Sequence, residues 1–174
     1  MLEMFETKLP RAWKWYAHVE PDAANYAQGC VLLGEIDSMA NFLRHWNHIP
    51  SADLLKNHQV LIAKRAVRGY AFFCQNIRPE WEDSVNVRGG EFVLRVTDNI
   101  RHVFDTLITD CLNGTSPFVG IRCMCNKLPM KIEMWHDEHA SHTEMQHYLK
   151  SQLANVTGLS PIKHKTHKDI YVTR

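Results

Sequence analysis

The chain has 174 residues, 45% of them hydrophobic, enough for one well-cored domain and too few for two. Its 20 basic and 19 acidic side chains leave a formal charge of +1, so bulk charge argues neither for nor against nucleic acid, and any phosphate site must be local. The five cysteines (30, 74, 111, 123 and 125) are odd in number and lack scaffold spacing. With no signal peptide and no bilayer-length apolar run, they imply a reducing, cytoplasmic setting without membrane contact.

In chain order, Met1–Pro10 reads as a flexible tail and residues 11–174 as a single domain. Gly29–Glu35 is strand-like. Asp37 or Ser38 can cap a first helix in which Met39, Phe42, Leu43 and Trp46 recur at helical spacing. Arg68–Cys74 and Glu91–Val96 read as strands. Thr97 or Asp98 can cap a second helix, whose stripe of Ile100, Val103, Phe104, Leu107, Ile108, Cys111 and Leu112 ends at Asn113-Gly114. Val119–Cys125 and Lys131–Trp135 flank Asn126-Lys127-Leu128-Pro129 and predict a hairpin. A third helix follows from about Ser141 to Ala154, with Met145, Tyr148, Leu149 and Leu153 inward. Strands outnumber helices and no βαβ alternation appears, so the expected class is α+β, an antiparallel sheet with helices on one face.

The densest chemical signal is Trp81-Glu82. An indole face suits a guanine made cationic by N7 methylation, because stacking gains a cation–π contribution. A neighbouring carboxylate can accept both N1–H and the 2-amino group of guanine, whereas adenine presents a lone pair at N1. Around the pair stand Pro79, Asp83, Asn86, Arg88, Gly89 and Gly90. This Pro-x-Trp-Glu-Asp, Asn, basic, Gly-Gly pattern resembles the mRNA cap-binding translation initiation factor 4E family. Three other stretches fall in that family's order: Phe42 through Asn47-His48-Ile49, the segment closed by Gly114, and Lys131-Ile132-Glu133-Met134-Trp135. The resemblance runs from about residue 12 to 170.

The resemblance implies a single curved antiparallel sheet of about eight strands, three helices on its convex back and the cap slot on its concave face. It implies Tyr26 and Trp81 as plates around the methylated base, Glu82 as the guanine acceptor and Trp135 against the N7 methyl. Lys131 shares a face with Trp135 by period-2 alternation and is expected at the phosphates. Lys127 is assigned there too, with Arg122 in reserve, because the family's arginine falls on Asn126. Glu91 replaces another arginine and would repel phosphate. The basic segment carrying Lys163, Lys165, His167 and Lys168 is expected as a short flexible loop over the nucleotides after the cap. Carrying over the family's docking surface gives Met39, Leu43, Asp105 and Thr106, without its usual tryptophan. In its departures at Tyr26, Glu91 and Asn126 the chain resembles divergent paralogues of trypanosomatid parasites, whose heavily methylated cap would then be the ligand.

These expectations describe a binding protein and not an enzyme. It would recruit 5′-capped mRNA to translation through a scaffold subunit of the initiation factor 4G type, or act as a cap-binding repressor without productive scaffold engagement. Repressor-type 4E-binding proteins would be further partners. No cofactor or metal is expected: Cys123-Met-Cys125 alternates like a strand, His136-Asp-Glu-His139 falls one residue short of a zinc motif, and no phosphate-loop or dinucleotide fingerprint occurs.

Overall fold

The computed structural model describes residues 7–20, 29–50, 60–98, 100–125 and 127–168. Strand β1 (Lys8–Val19) buries Trp13, Trp15, Ala17 and Val19 on one face and leaves Lys14, Tyr16 and His18 half-buried on the other. That alternation is the pleat of a strand with one face toward a core. The chain continues through β2 (Cys30–Ser38), α1 (Met39–Trp46), β3 (Leu61–Ile62), β4 (Arg65–Cys74), β5 (Gly90–Val96) and α2 (Ile100–Leu112). It ends with β6 (Gly120–Met124), β7 (Met130–His136), α3 (His142–Gln152) and β8 (Lys163–Thr166). One antiparallel sheet results, in the order β2-β1-β4-β6-β7-β5-β8, with β3 paired to β4. Register shifts within β1 add local twist and help the sheet curve.

The three helices among the described residues cover the convex face. Phe42 of α1, Val103, Phe104, Leu107 and Ile108 of α2, and Met145 and Leu149 of α3 close over Phe72, Ile121, Ile132, Met134, Phe92 and Leu94 from the strands. Trp15, wholly buried, sits among five rings whose centroids lie 5.0–6.4 Å away: Phe72, Trp46, Phe104, Tyr70 and Phe42. Deleting such a side chain costs about 3–5 kcal/mol, so this aromatic cluster anchors α1 and α2 to the sheet. Ser38, not Asp37, caps α1: its Oγ accepts from the Asn41 N–H at 3.3 Å.

The sheet and helices follow the expected class, with differences at both ends. β1 begins at Lys8, so Lys8, Leu9 and Pro10 lie in the sheet and not in a tail. The segment holding Lys163 and Lys165 is strand β8, paired with β5 along Gly90–Thr166 to Val93–Lys163, and not a flexible loop. Its backbone hydrogen bonds supply order that its polar side chains do not announce. Cys123 and Cys125 face the core as their alternation implies.

Candidate functional site

The loop between β4 and β5 is held by its own polar side chains. Asp83, nearly buried, accepts the Arg78 N–H through Oδ2 and the Val85 N–H through Oδ1, both at 3.1 Å. Asn86, fully buried, donates its amide to the carbonyls of Arg78 (2.7 Å) and Glu80 (2.8 Å). These four bonds clamp the intervening Trp81-Glu82, so the Asp and Asn of the motif position the loop. Gly89 and Gly90 follow because strands flank them closely: a Cβ on Gly89 would collide with the His136 carbonyl, and one on Gly90 with that of Lys165. Trp81 is half-buried. Glu82 is exposed, and among the described residues its carboxylate has no hydrogen bond or ion pair.

Trp135, Glu133 and Lys131 share the concave face of β7, and their cross-strand neighbours on β5 are Glu91, Val93 and Arg95. Trp135 lies where alternation predicts and is completely covered. Phe73 meets it edge-on at 5.3 Å, the Arg122 guanidinium lies 5.2 Å from its ring, and His167 packs at 4.6 Å. Among the described residues its indole N–H has no hydrogen-bond partner.

Glu133 is the centre of charge on this floor. It pairs with both Arg122 and Lys131, is buried, and titrates at about 2: burial opposes ionisation, but the two cations outweigh it. Arg122 is correspondingly held protonated, burial being overcome by Glu133 first and Glu91 after it. His18, on the same face of β1, falls to about 4 because of burial and then the charge of Arg122. The two expected phosphate ligands Arg122 and Lys131 are thus already bound to a carboxylate. Lys127, on the β6–β7 turn, is exposed and has no ion pair among the described residues. Arg95, opposite Lys131, is likewise exposed without a side-chain partner among them. It was legible from its parity with Glu91 but was not expected. Tyr26 and Asn126 lie outside the described residues.

His167 corrects a second expectation. It is fully buried and does not overhang the surface. Its Nδ1–H donates to the Asn86 carbonyl at 2.6 Å, and its ring stands 6.4 Å from Trp81, so it links the clamped loop to Trp135. Lys163, Lys165 and Lys168 remain exposed. His136 and His139 diverge: His136 is buried beside Phe92 and His164 on the convex side, while His139 faces solvent.

A clamped Trp-Glu loop above a tryptophan-bearing floor, on the concave side of a sheet backed by helices, can be set against known proteins. The profile of the family Eukaryotic initiation factor 4E matches residues 8–173. The chain belongs to the eukaryotic initiation factor 4E family. It is 26% identical to Eukaryotic translation initiation factor 4E1 of Drosophila melanogaster over 80% of this chain and 54% of that protein. It is also 26% identical to human Eukaryotic translation initiation factor 4E type 1B, over 97% of this chain and 65% of that protein. The chain therefore spans about half to two-thirds of the length of these curated relatives. Its fold is similar to C. elegans eIF4E-3, solved in complex with the 4E-binding protein Mextli and cap analog: TM-score 0.73, 20% identity, 95% of each chain covered.

On the back of this initiation factor 4E fold, Met39 and Leu43 of α1 are half-buried against the core. Asp105 and Thr106 of α2 are turned to local partners: Asp105 pairs with Arg101 at 2.9 Å, and the Thr106 hydroxyl donates to the His102 carbonyl at 2.9 Å. An aromatic group is nonetheless present between the helices. Trp46, one turn after Leu43, is half-buried with the Arg101 guanidinium 4.1 Å from its ring centroid. Trp46, Ile49, Pro50, Ile100, Arg101 and Phe104 line a small cleft of about 30 Å³ there. The i, i+3 spacing from Leu43 to Trp46 carried this signal in the sequence.

Proposed function

We propose that this chain binds the 7-methylguanosine cap at the 5′ end of mRNA and recruits it to translation initiation, acting by binding and not by catalysis, in the cytoplasm. The observation that carries the reading is the Asp83- and Asn86-clamped loop, which presents Trp81 and the uncommitted Glu82 carboxylate side by side. Trp81 stacks on the cationic base with Tyr26 as the opposite plate, and Glu82 accepts from N1–H and the 2-amino group. Trp135, completely covered by Phe73, Arg122 and His167, supports the floor from beneath and reaches the methyl group only where His167 moves aside. Lys127 is the exposed cation for the phosphates, with Lys131 available in so far as it leaves Glu133. Family membership and the C. elegans structure, described with a cap analog and a 4E-binding protein, support both the ligand and a scaffold or 4E-binding partner. The partner's short helix would dock on the convex side at Met39, Leu43 and the Trp46–Arg101 cleft, with Asp105 and Thr106 at its rim.

Titration of tryptophan fluorescence with 7-methyl-GTP and with GTP tests the reading. Quenching by the methylated nucleotide is expected, with Trp81→Ala costing about 1–3 kcal/mol of affinity. Glu82→Ala should remove the preference for guanine over adenine. Equal affinity for methylated and unmethylated GTP overturns the proposal.

A further inference from the structure

Histidines from three elements meet on one buried ring. Around Phe92 of β5 stand the imidazoles of His136 (the last residue of β7), His142 (the first of α3) and His164 (in β8), their centroids 5.7, 4.9 and 4.8 Å away. His136 Nε2 and His164 Nε2 are 2.9 Å apart, and His142 meets His164 edge-on at 4.1 Å. Gly90, the second glycine of the loop motif, leaves room for this meeting: a Cβ there would stand 2.9 Å from His136 Nε2 and 3.1 Å from His164 Nε2. His136 is buried, but His164 is half-buried and His142 exposed, so solvent protons reach the pair.

The protons of the pair can be counted. The Asp137 carbonyl only accepts, so His136, at 2.7 Å from it, carries its proton on Nδ1. Its Nε2 then holds a lone pair, and the 2.9 Å contact is a hydrogen bond donated by His164 Nε2–H. A proton added to His164 goes to Nδ1 and leaves that bond in place. A proton added to His136 makes Nε2 a second donor and sets two N–H groups against each other. The titratable groups facing His136 are Asp137 on its own turn, His142 from α3 and His167 after β8. β5 brings Phe92 and Gly90, Arg88 is paired with Glu138, and Lys163 and Lys165 of β8 alternate onto the opposite face from His164. Burial holds the His136 pKa below the ordinary 6.5; the Asp137 carbonyl opposes this, and His167 and His142 add to it.

β8 connects this contact to the Trp81 loop. It is four residues long and pairs with β5 alone among the described strands. Three residues after His164 comes His167, which covers Trp135 and donates to the Asn86 carbonyl. We propose that the His136–His164 hydrogen bond is an acid-released latch on β8: a second proton on His136 frees the strand and lifts His167 from Trp135. The latch goes beyond the cap-binding reading and does not depend on it. His136 takes up its proton near 6.5 when the latch is open and lower when it is shut. The shut state is therefore fully favoured above 6.5 and loses up to about tenfold per pH unit below it.

Hydrogen exchange of the Lys163–His167 amides in the full chain, expressed as protection at pH 7.5 and pH 5, tests the latch. Their protection should fall about tenfold or more at pH 5 while the β6 and β7 amides keep theirs. His136→Gln, which keeps an acceptor toward His164 and takes up no proton, should hold protection equal at both pH values. His164→Leu removes the donor and should give the low value at both; it decides the matter should His136→Gln fold poorly. Affinity for 7-methylguanosine monophosphate should gain several-fold more between pH 7.5 and 5 in the intact chain than in His136→Gln, because His167 leaves Trp135. Equal β8 protection at both pH values in the intact chain overturns the latch. So does a pH response that survives in His136→Gln or His164→Leu, or a loss shared by the whole sheet, which is acid unfolding. If the intact chain binds no nucleotide at either pH, the cap-binding reading falls, and the exchange result alone decides the latch.

Discussion

The two ends of the concave face are built differently. Around Trp81, Trp135, Glu91 and His167 the groups are buried or clamped, and the Glu91 carboxylate shares that end with the Arg122 guanidinium, 5.2 Å from the Trp135 ring. Toward the β6–β7 turn, Lys127 and Arg95 stand exposed with no side-chain partner among the described residues, and Lys131 is tied to Glu133. Rigid, desolvated groups discriminate strongly because water cannot substitute for them, while exposed cations are screened and mobile. The base end should accordingly carry selectivity, and the other end a smaller, salt-sensitive increment of affinity.

The largest effect is expected where the base end is held in shape. Asn86→Ala removes the donors from two carbonyls, those of Arg78 and Glu80, at a site with no exposure. Leaving both unsatisfied should cost about 2–5 kcal/mol of stability. Denaturant unfolding measures that loss, and cap titration of the folded fraction should show affinity falling with it. If the folded variant binds the cap normally, the clamp is not what presents Trp81 and Glu82, and the contrast between a rigid and a loose end fails.

The Asp83 and Asn86 clamp also shows how much the sequence revealed. The positions of Trp81, Glu82 and Trp135 were legible because a loop motif and strand parity place them without further information, but the complete burial of Trp135 was not. The same parity that paired Lys131 with Trp135 put Glu133 between them on that face. A carboxylate flanked by two cations was readable there, and it ties both the lysine and the arginine to Glu133. His167 was not legible. In Lys163-His164-Lys165-Thr166 no apolar alternation marks a strand, because β8 is an edge strand whose order comes from backbone bonds to β5. Only the tertiary fold carries the next residue inward. β1 was missed for another reason: its Trp13, Trp15, Ala17 and Val19 alternate clearly, but the segment lies beside the expected tail and outside the family's motifs.

The boundary between the two ends should fail in acid, at intermediate cost. His18 titrates at about 4 in the fold against 6.5 for the free side chain, so below pH 6.5 the unfolded chain takes up a proton that the fold refuses. Stability from this group is complete above about pH 6.5 and declines as pH falls toward 4. Glu133, held near 2 against 4.5, contributes stability present above about pH 4.5 and lost as pH falls toward 2. Melting temperature against pH should show both declines. His18→Gln should shrink the upper one, the remainder coming from His136, which burial also lowers, and Glu133→Gln should remove the lower. A Glu133→Gln profile identical to that of the unmodified chain would mean the Arg122–Glu133–Lys131 triad does not couple the two ends.

The smallest effect is predicted at the exposed end. Lys127 has no fixed partner among the described residues, so its contact with a phosphate resembles a surface ion pair, worth up to about 1 kcal/mol at low salt. Lys127→Ala should weaken 7-methyl-GTP binding only a few-fold, spare the monophosphate, and become silent at about 1 M salt, where the screening length shrinks to about 3 Å. Arg95→Ala should behave alike if the phosphates run past β5, and should do nothing if they keep to the turn. In both variants the preference for methylated over unmethylated guanine should stay as it is in the unmodified chain, because neither residue touches the buried end. A loss of that preference in Lys127→Ala would show that the exposed end reads the base as well, and the division of labour between the ends would be wrong.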